Sequence, residues 1–132
     1  MTLAWTQDLR ELVDDPARNE AVFQVDPNLV INWAVWEFGV SRQDLLSDRR
    51  QAMLVFARSF VVWALRHMGE PRSYPEIGRI LGGRNSSSAL HLHQKALSQI
   101  RRDKGFAAIC HRMRDRFLSL RTQGGEDERP SH

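Results

Sequence analysis

Apolar residues recur along this chain at helical spacing, in segments that are separated by short polar or glycine-containing breaks. The first clear segment, 29–38, follows Pro27, a residue that the first turn of a helix tolerates, and Gly39 marks its end. The spacing predicts that one face of this helix carries Leu29, Trp33, Trp36 and Val40.

The longest periodic segment, 48–68, is apolar almost all round between Ala52 and Leu65, interrupted by Arg58 and Ser59. A helix that is apolar on all sides is typical of the buried axis of a bundle. Its β-branched residues would also suit a strand, but the length of the segment favours a helix.

Polar tetrads of the capping-box type predict two further helix starts. Ser-Arg-Gln-Asp at 41–44 opens a short helix, and Ser-Tyr-Pro-Glu at 73–76 opens another that stops at the glycine pair 82–83, where positive φ has no steric cost. Asn85 is a favourable N-cap for the next helix, which we expect to run to about Arg102. Its inner stripe is predicted to contain Ala89, Leu90, His93, Leu97 and Ile100.

A last amphipathic helix is predicted over 106–120, and the pattern shows no repeat and no convincing strand. The predicted fold class is therefore all-α, a helical bundle with a helix-turn-helix at 73–102. We divide the chain into an acidic N-terminal arm (1–24) that could bind a partner, a helix-turn-helix domain (25–122) and a disordered tail (123–132).

Charge is distributed unevenly along the 132 residues, although the net charge is only +3. Residues 1–40 carry two basic and seven acidic side chains, whereas residues 41–105 carry twelve basic and five acidic ones. Most charged stretches are simply solvated surface, but a positive excess beside a helix-turn-helix pattern favours a polyanionic partner.

The remaining composition argues against several classes of protein. The single cysteine, Cys110, excludes an intrachain disulfide, and no apolar run approaches the roughly 20 residues that span a bilayer. Without a signal-peptide pattern, we expect a cytoplasmic, nucleoid-associated protein with no membrane contact. His91 and His93 diverge by about 200° on a helix, which argues against a joint metal site. No catalytic constellation stands out, so we expect neither an enzyme nor a bound metal or cofactor.

Function is indicated by the start of the second helix of the turn. Asn-Ser-Ser-Ser at 85–88 stands there, and capping needs only one of these residues. The alternative is that they merely cap the helix, but their number favours hydrogen bonds to base edges and phosphates of double-stranded DNA. The unpaired N–H groups of both helix starts suit phosphate oxygens. Three cations flank these starts: Arg72, Arg84 and Lys95.

Three motifs occur in order along the chain: Asp-Leu-Leu-Ser-Asp-Arg-Arg at 44–50, Ser-Tyr-Pro-Glu-Ile-Gly at 73–78 and Gly-Gly-Arg-Asn-Ser-Ser-Ser-Ala-Leu-His at 82–91. With these motifs the chain, from about residue 28 to 104, resembles the C-terminal DNA-binding domain (domain IV) of the bacterial replication initiator DnaA. That family typically reads Ser-Leu-Pro-Glu-Ile-Gly and Gly-Gly-Arg-Asp-His-Thr-Thr-Val-Leu-His at the last two. The resemblance implies a Trp-repressor-like helix-turn-helix fold, with the helix over 86–102 in the major groove.

The resemblance also implies roles for individual residues. Arg50 matches an arginine that enters the minor groove, and Arg49 lies next to it, near the DNA backbone. The positions that read the major groove correspond to Asn85, Ser86, Ser87 and Ser88. The positions that contact phosphate or the backbone correspond to Arg58, Ser59, Ser73, Pro75, His91 and Lys95.

The chain departs from the family pattern where bases are read. Asn85 replaces an acidic residue, Ser86 replaces a histidine, and serines replace the two threonines. We therefore expect DNA binding with an altered or relaxed sequence preference, at DnaA-box-like or related sites, in the regulation of replication initiation or transcription. The sequence contains no Gly-x-x-x-x-Gly-Lys-Ser/Thr loop, so we expect a DNA-binding domain detached from the ATPase module of the initiator.

A second hypothesis is an interaction module with little DNA affinity, which binds the initiator or another replication protein through residues 1–24. The altered run 85–88 favours this hypothesis. The basic residues that match the family oppose it: Arg49, Arg50, Arg58, Arg84 and Lys95.

Overall fold

The computed structural model describes residues 24–126, and the side chains of residues 24–119. In this range lie the helices α1 (Pro27–Phe38), α2 (Arg42–Leu45), α3 (Ala52–His67), α4 (Tyr74–Ile80), α5 (Ser86–Arg102) and α6 (Lys104–Glu126). One isolated antiparallel bridge joins Gln24 to Gly69, and the described residues contain no longer β-structure, which confirms the all-α prediction. None of these helices has the length and hydropathy needed to cross a bilayer.

The helices begin where the polar caps predict. The hydroxyls of Ser41 and Ser73 and the amide oxygen of Asn85 each accept from the backbone N–H three residues further on, at 3.0, 3.2 and 2.8 Å. Asp26 caps α1 by accepting from the N–H of Asn28 at 3.0 Å. Each bond satisfies one of the four N–H groups that a helix start leaves unpaired, so local sequence sets these boundaries.

Helix α3 is the buried axis of the bundle, as its apolar pattern predicts. Every residue from Ala57 to Leu65 is buried, and α1, α5 and α6 all pack against this helix. The rings of Phe60 and Trp63 lie at its centre with their centroids 6.0 Å apart. Because α5 packs directly on α3, the bundle core holds the helix-turn-helix in place.

The predicted apolar faces of α1 and α5 each include a large residue that the structure exposes. Trp36 was expected to share a face with the other large apolar residues of α1, but it is 86% exposed, and Val30, Ile31 and Ala34 are buried instead. On α5, Leu90 is 39% exposed. Since α1 is apolar almost all round, its sequence period does not choose a face, and packing against α3 decides which side is buried.

Helix α6 begins two residues before its predicted start. The carboxylate of Asp103 accepts from the N–H groups of Gly105 and Phe106 at 2.9 and 3.1 Å, and this cap allows a new helix directly after α5. The helix continues to Glu126, so it extends into the first four residues of the predicted tail. Residues 127–132 of the predicted tail, and residues 1–23 of the predicted arm, lie outside the described part of the chain.

Candidate nucleic-acid interface

The turn between α4 and α5 depends on close backbone contacts. The carbonyl oxygen of Gly78 accepts from the N–H groups of Gly83 and Arg84, at 3.0 and 2.8 Å. Gly82 and Gly83 have φ values of +88° and +90°, a region that favours glycine. A Cβ on Gly78 would lie 2.0 Å from the carbonyl oxygen of Arg84, so a side chain there would force the two helices apart.

The start of α5 presents small polar groups to solvent. Asn85, Ser86 and Ser87 are exposed, Ser88 is half-buried, and Ala89 is the first fully buried residue of the helix. The amide oxygen of Asn85 is engaged by the N–H of Ser88, as described above. Capping therefore uses one side-chain oxygen, and the hydroxyls of the two exposed serines stand at the tip of the helix.

Further along α5, the two residues that the resemblance places near the DNA backbone differ in surroundings. His91 is exposed. Lys95 is half-buried, and its Nζ lies 5.1 Å from the centroid of the Phe56 ring on α3. Such a cation–π contact limits the range of positions of the ammonium group.

At the start of α4, two of the three expected contact residues are accessible. Ser73 and Pro75 are exposed. Arg72 is not, since its side chain is only 11% exposed and its guanidinium donates to the Glu76 carboxylate and, at 3.0 Å, to the carbonyl oxygen of Val25. The expected role of Arg72 as a cation flanking the DNA is corrected: it ties α4 to the segment that precedes α1.

The basic loop, residues 46–51, lies beside the helix-turn-helix. Arg49 and Arg50 in this loop are exposed, and Nη1 of Arg49 lies 3.8 Å from the carboxylate of Asp44. Nη2 of Arg84 donates to the carbonyl oxygen of Ser47 at 2.7 Å. This hydrogen bond places the loop that carries Arg50 next to the start of α5.

Arg58 and Ser59, for which phosphate contacts are expected, are both buried in this structure, at 2% and 0% exposure. The Ser59 hydroxyl donates to the carbonyl oxygen of Phe56 at 2.8 Å. Among the described residues, the Arg58 guanidinium donates only to backbone carbonyl oxygens: Nε donates to that of Leu45 at 2.8 Å, and the other two nitrogens donate to those of Asp44, Ser47 and Arg49. The signal for this role was available in sequence, as a lone cation inside an apolar helix.

Burial and neighbouring charges at the basic loop affect the pKa values of Arg58 and Arg84. Burial, and after it the charge of Arg84, lower the pKa of Arg58 to about 10, against the opposing effect of Asp48 and Asp44. Burial also lowers the pKa of Arg84, an effect that Asp48 opposes and Arg50 reinforces. Arg58 stays protonated at neutral pH, so positive charge is concentrated where the basic loop meets the turn.

A histidine network, which the sequence analysis missed, joins α3, α4 and α5. Nε2 of His67 lies 2.9 Å from Nε2 of His93, and Nδ1 of His93 lies 2.7 Å from the Tyr74 hydroxyl. Burial, then the other histidine and Arg66, lower the pKa of His67 to about 3, and burial and Arg66 lower that of His93 to about 4. The prediction that His93 is a satisfied core residue is confirmed. Among the described residues, no group of three or more His, Cys, Asp or Glu side chains could hold a metal ion.

The short α4, the glycine turn and α5 define a helix-turn-helix protein on an all-α core. The family model described as the bacterial DnaA protein helix-turn-helix matches residues 27–96, which is more than half of the chain. The chain belongs to this family.

Curated relatives are chromosomal replication initiator proteins DnaA. The protein of Agrobacterium fabrum is 45% identical over 58 residues, which are 44% of this chain and 12% of the relative. The protein of Brucella abortus is 47% identical over the same shares. That of Xanthobacter autotrophicus is 39% identical over 70 residues, 53% of this chain and 14% of the relative. The match thus spans 12% to 14% of the length of these relatives, and no solved structure matches the chain.

Proposed function

We propose that this protein binds double-stranded DNA with α5 in the major groove and Arg50 in the adjacent minor groove. The observation that carries the proposal is the junction of two exposed elements. The polar start of α5 and the basic loop are held together by the hydrogen bond from Arg84 to the Ser47 carbonyl oxygen, at 2.7 Å. Family membership supports the same conclusion, since the relatives are named as replication initiators.

Exposure and charge indicate which residues would contact bases and which would contact phosphates. The exposed side chains of Asn85, Ser86 and Ser87 are short and polar, which suits base edges that lie close to the helix tip. Lys95 and His91 on α5, and the start of α4 at Ser73, would contact phosphates. Because Arg58, Ser59 and Arg72 are used inside the protein, we propose fewer phosphate contacts than the sequence alone predicts.

The biological role that we propose is regulation of replication initiation or transcription. A protein that shares the helix-turn-helix of the initiator could occupy DnaA-box-like sites and compete with the initiator for them. Four residues at the α5 tip differ from the family pattern at 85–88, so we propose that the preferred site differs from the usual one or is less strictly read.

Titration of fluorescent duplexes across salt concentrations tests the proposal, with sites selected from a random duplex pool. Arg50→Ala should weaken binding about tenfold or more, because one minor-groove contact is lost. Lys95→Ala should weaken binding to all sequences by a similar factor. Arg112→Ala is the matched control: it removes the same charge from a residue that pairs with Glu37 at 2.8 Å, and it should bind like wild type. If both test variants match wild type, the proposed DNA contact is rejected.

Deletion of residues 1–24 separates DNA binding from the interaction-module hypothesis. If DNA is the ligand of the helix-turn-helix, the shortened chain should keep its affinity for the selected duplex. If the chain is instead an adaptor that acts through its acidic arm, the full chain should show little DNA affinity, and the deletion should abolish binding to the initiator.

A further inference from the structure

The basic loop is held mainly by a side chain that comes from inside the bundle. Arg58, in the middle of α3, donates to the carbonyl oxygens of Leu45 and Ser47 at 2.8 and 2.9 Å, and also to those of Asp44, at 2.9 Å, and Arg49. These four carbonyls span the end of α2 and most of the basic loop. A planar guanidinium with its donors in a rigid fork suits such a set of acceptors.

The same loop is also held from the helix-turn-helix side. Arg84 donates to the Ser47 carbonyl oxygen at 2.7 Å and to that of Leu81 at 2.6 Å, so it joins the loop to the end of α4. A Cβ on Gly82 would lie 2.1 Å from the Leu46 carbonyl oxygen, which shows that the turn and the loop are in backbone contact. The Ser47 carbonyl oxygen therefore accepts from two guanidinium groups.

This arrangement carries an electrostatic cost. Two like charges meet at one carbonyl oxygen, and the charge of Arg84 contributes to the lowered pKa of Arg58. These bonds fix the geometry of the loop that carries Arg50: it is tied to the bundle axis at Ser47 and Arg49, and at Ser47 also to Arg84, the residue that immediately precedes the cap of α5.

We propose that Arg58 and Arg84 are positioning residues that set the register between the two DNA-reading elements, Arg50 and the start of α5. This inference rests on the proposed function. Arg58 contacts no DNA and acts only through the basic loop. The distance between Arg50 and the start of α5 is therefore set by the protein before DNA is bound.

A double-mutant cycle tests the inference, with affinity measured on the selected duplex well below the melting temperature. Arg58→Lys keeps the charge but lacks the fork, and it should weaken wild-type binding about tenfold. On an Arg50→Ala background the same change should cost less than about twofold, because the contact that Arg58 positions is already gone. On a Lys95→Ala background the full loss should return. Equal losses on both backgrounds would overturn the inference.

A second measurement uses the wild-type protein and does not depend on the folding of Arg58→Lys. One base pair is inserted into the selected duplex between the segment read in the minor groove and the segment read in the major groove, which moves them apart by about 3.4 Å and rotates them. A rigid register predicts that binding falls to the level of a random duplex. Retained affinity would overturn the inference while leaving DNA binding intact. Failure of the wild-type protein to bind any selected duplex would instead overturn the proposed function.

Discussion

At the scale of single residues, Asn85 has two roles that constrain each other. Its amide oxygen accepts from the Ser88 N–H at 2.8 Å and caps α5, while the residue itself is exposed at the helix tip. With the oxygen turned towards the helix, the NH₂ group is the part of the side chain that is left for DNA. It can donate to guanine O6 and N7 or to thymine O4, and it is mismatched with the amino group of cytosine.

Asn85→Asp should therefore change the base that is preferred opposite the α5 tip. Aspartate caps a helix as well as asparagine does, so the melting temperature should change little. Its second oxygen only accepts hydrogen bonds, which favours the cytosine amino group. Sequence selection with both proteins checks this prediction, with Asn85→Ala as the control for loss of any preference. Identical preferences for the asparagine and aspartate proteins would contradict it.

At the scale of elements, the angle between α4 and α5 depends on the absence of one side chain. The carbonyl oxygen of Arg84 comes so close to Gly78 that an added Cβ would lie 2.0 Å away, and both contacting groups are backbone. Backbone cannot move aside as a flexible side chain can, so the helix-turn-helix would have to open.

Gly78→Ala should lower the free energy of unfolding by about 2–3 kcal/mol, as overpacking of a tight contact does. Chemical denaturation measures the change. Gly105→Ala is the matched control, because a Cβ there meets only the Asp103 carboxylate, at 3.3 Å, in the first turn of α6. That substitution should be neutral or stabilising by up to about 1 kcal/mol. Equal stability of Gly78→Ala and wild type would refute the close approach.

The contact of α3 with α5 contains a pH-dependent element. If the Tyr74 hydroxyl donates to Nδ1 of His93, then His93 donates from Nε2 to Nε2 of His67, and these three ring nitrogens are paired while both rings are neutral. A proton on His67 would set two N–H groups against each other. This geometry and burial explain why the two pKa values lie at about 3 and 4.

Stability should therefore fall as the pH falls below about 6.5, because the two histidines become protonated in the unfolded state while they stay neutral in the folded state. The free energy of unfolding is greatest above that pH. It continues to fall until the pH reaches about 4, the pKa of His93 in the folded protein. The free energy of unfolding should drop by about 2 kcal/mol between pH 7 and 5.5. His67→Gln should roughly halve this slope. A flat profile for wild type would contradict the network.

How much of these elements could be predicted depends on the range of the interactions. The starts of α2, α4 and α5 were predicted correctly because Ser41, Ser73 and Asn85 bond only three residues away. The buried faces were less accessible to sequence, since Trp36 and Leu90 are as apolar as their buried neighbours. Within the candidate site, the inward orientation of Arg58 and Arg72 depends on carbonyls that only the fold brings near.

At the scale of the whole molecule, charge separates along the chain. Residues 1–40 are acidic, and the basic residues are concentrated in 41–105, which contain the basic loop and the helix-turn-helix. When a basic surface of this kind binds DNA, its cations take the place of the counterions that are condensed on the phosphates. Binding should therefore depend steeply on ionic strength.

The salt dependence should distinguish cations that touch phosphate from those that position the loop. Lys95→Ala should reduce the slope of log affinity against log salt by about 1, because one phosphate contact is lost. Arg58→Lys should reduce the slope no further than Arg50→Ala does, since the Arg58 guanidinium faces carbonyls and not solvent. Titrations at four or more salt concentrations measure the three slopes. A greater reduction for Arg58→Lys than for Arg50→Ala would show that Arg58 itself reaches the DNA.

The sequence by itself determined the helices, their caps, the glycine turn and the family, because each of these depends on residues a few positions apart or on a continuous motif. Tertiary structure alone decided which acceptors the inward-facing cations reach. Arg58 reaches a carbonyl 13 positions away and Arg72 one that is 47 positions away. Burial of a charge is stable only where such distant acceptors converge, and that convergence is a property of the packed bundle.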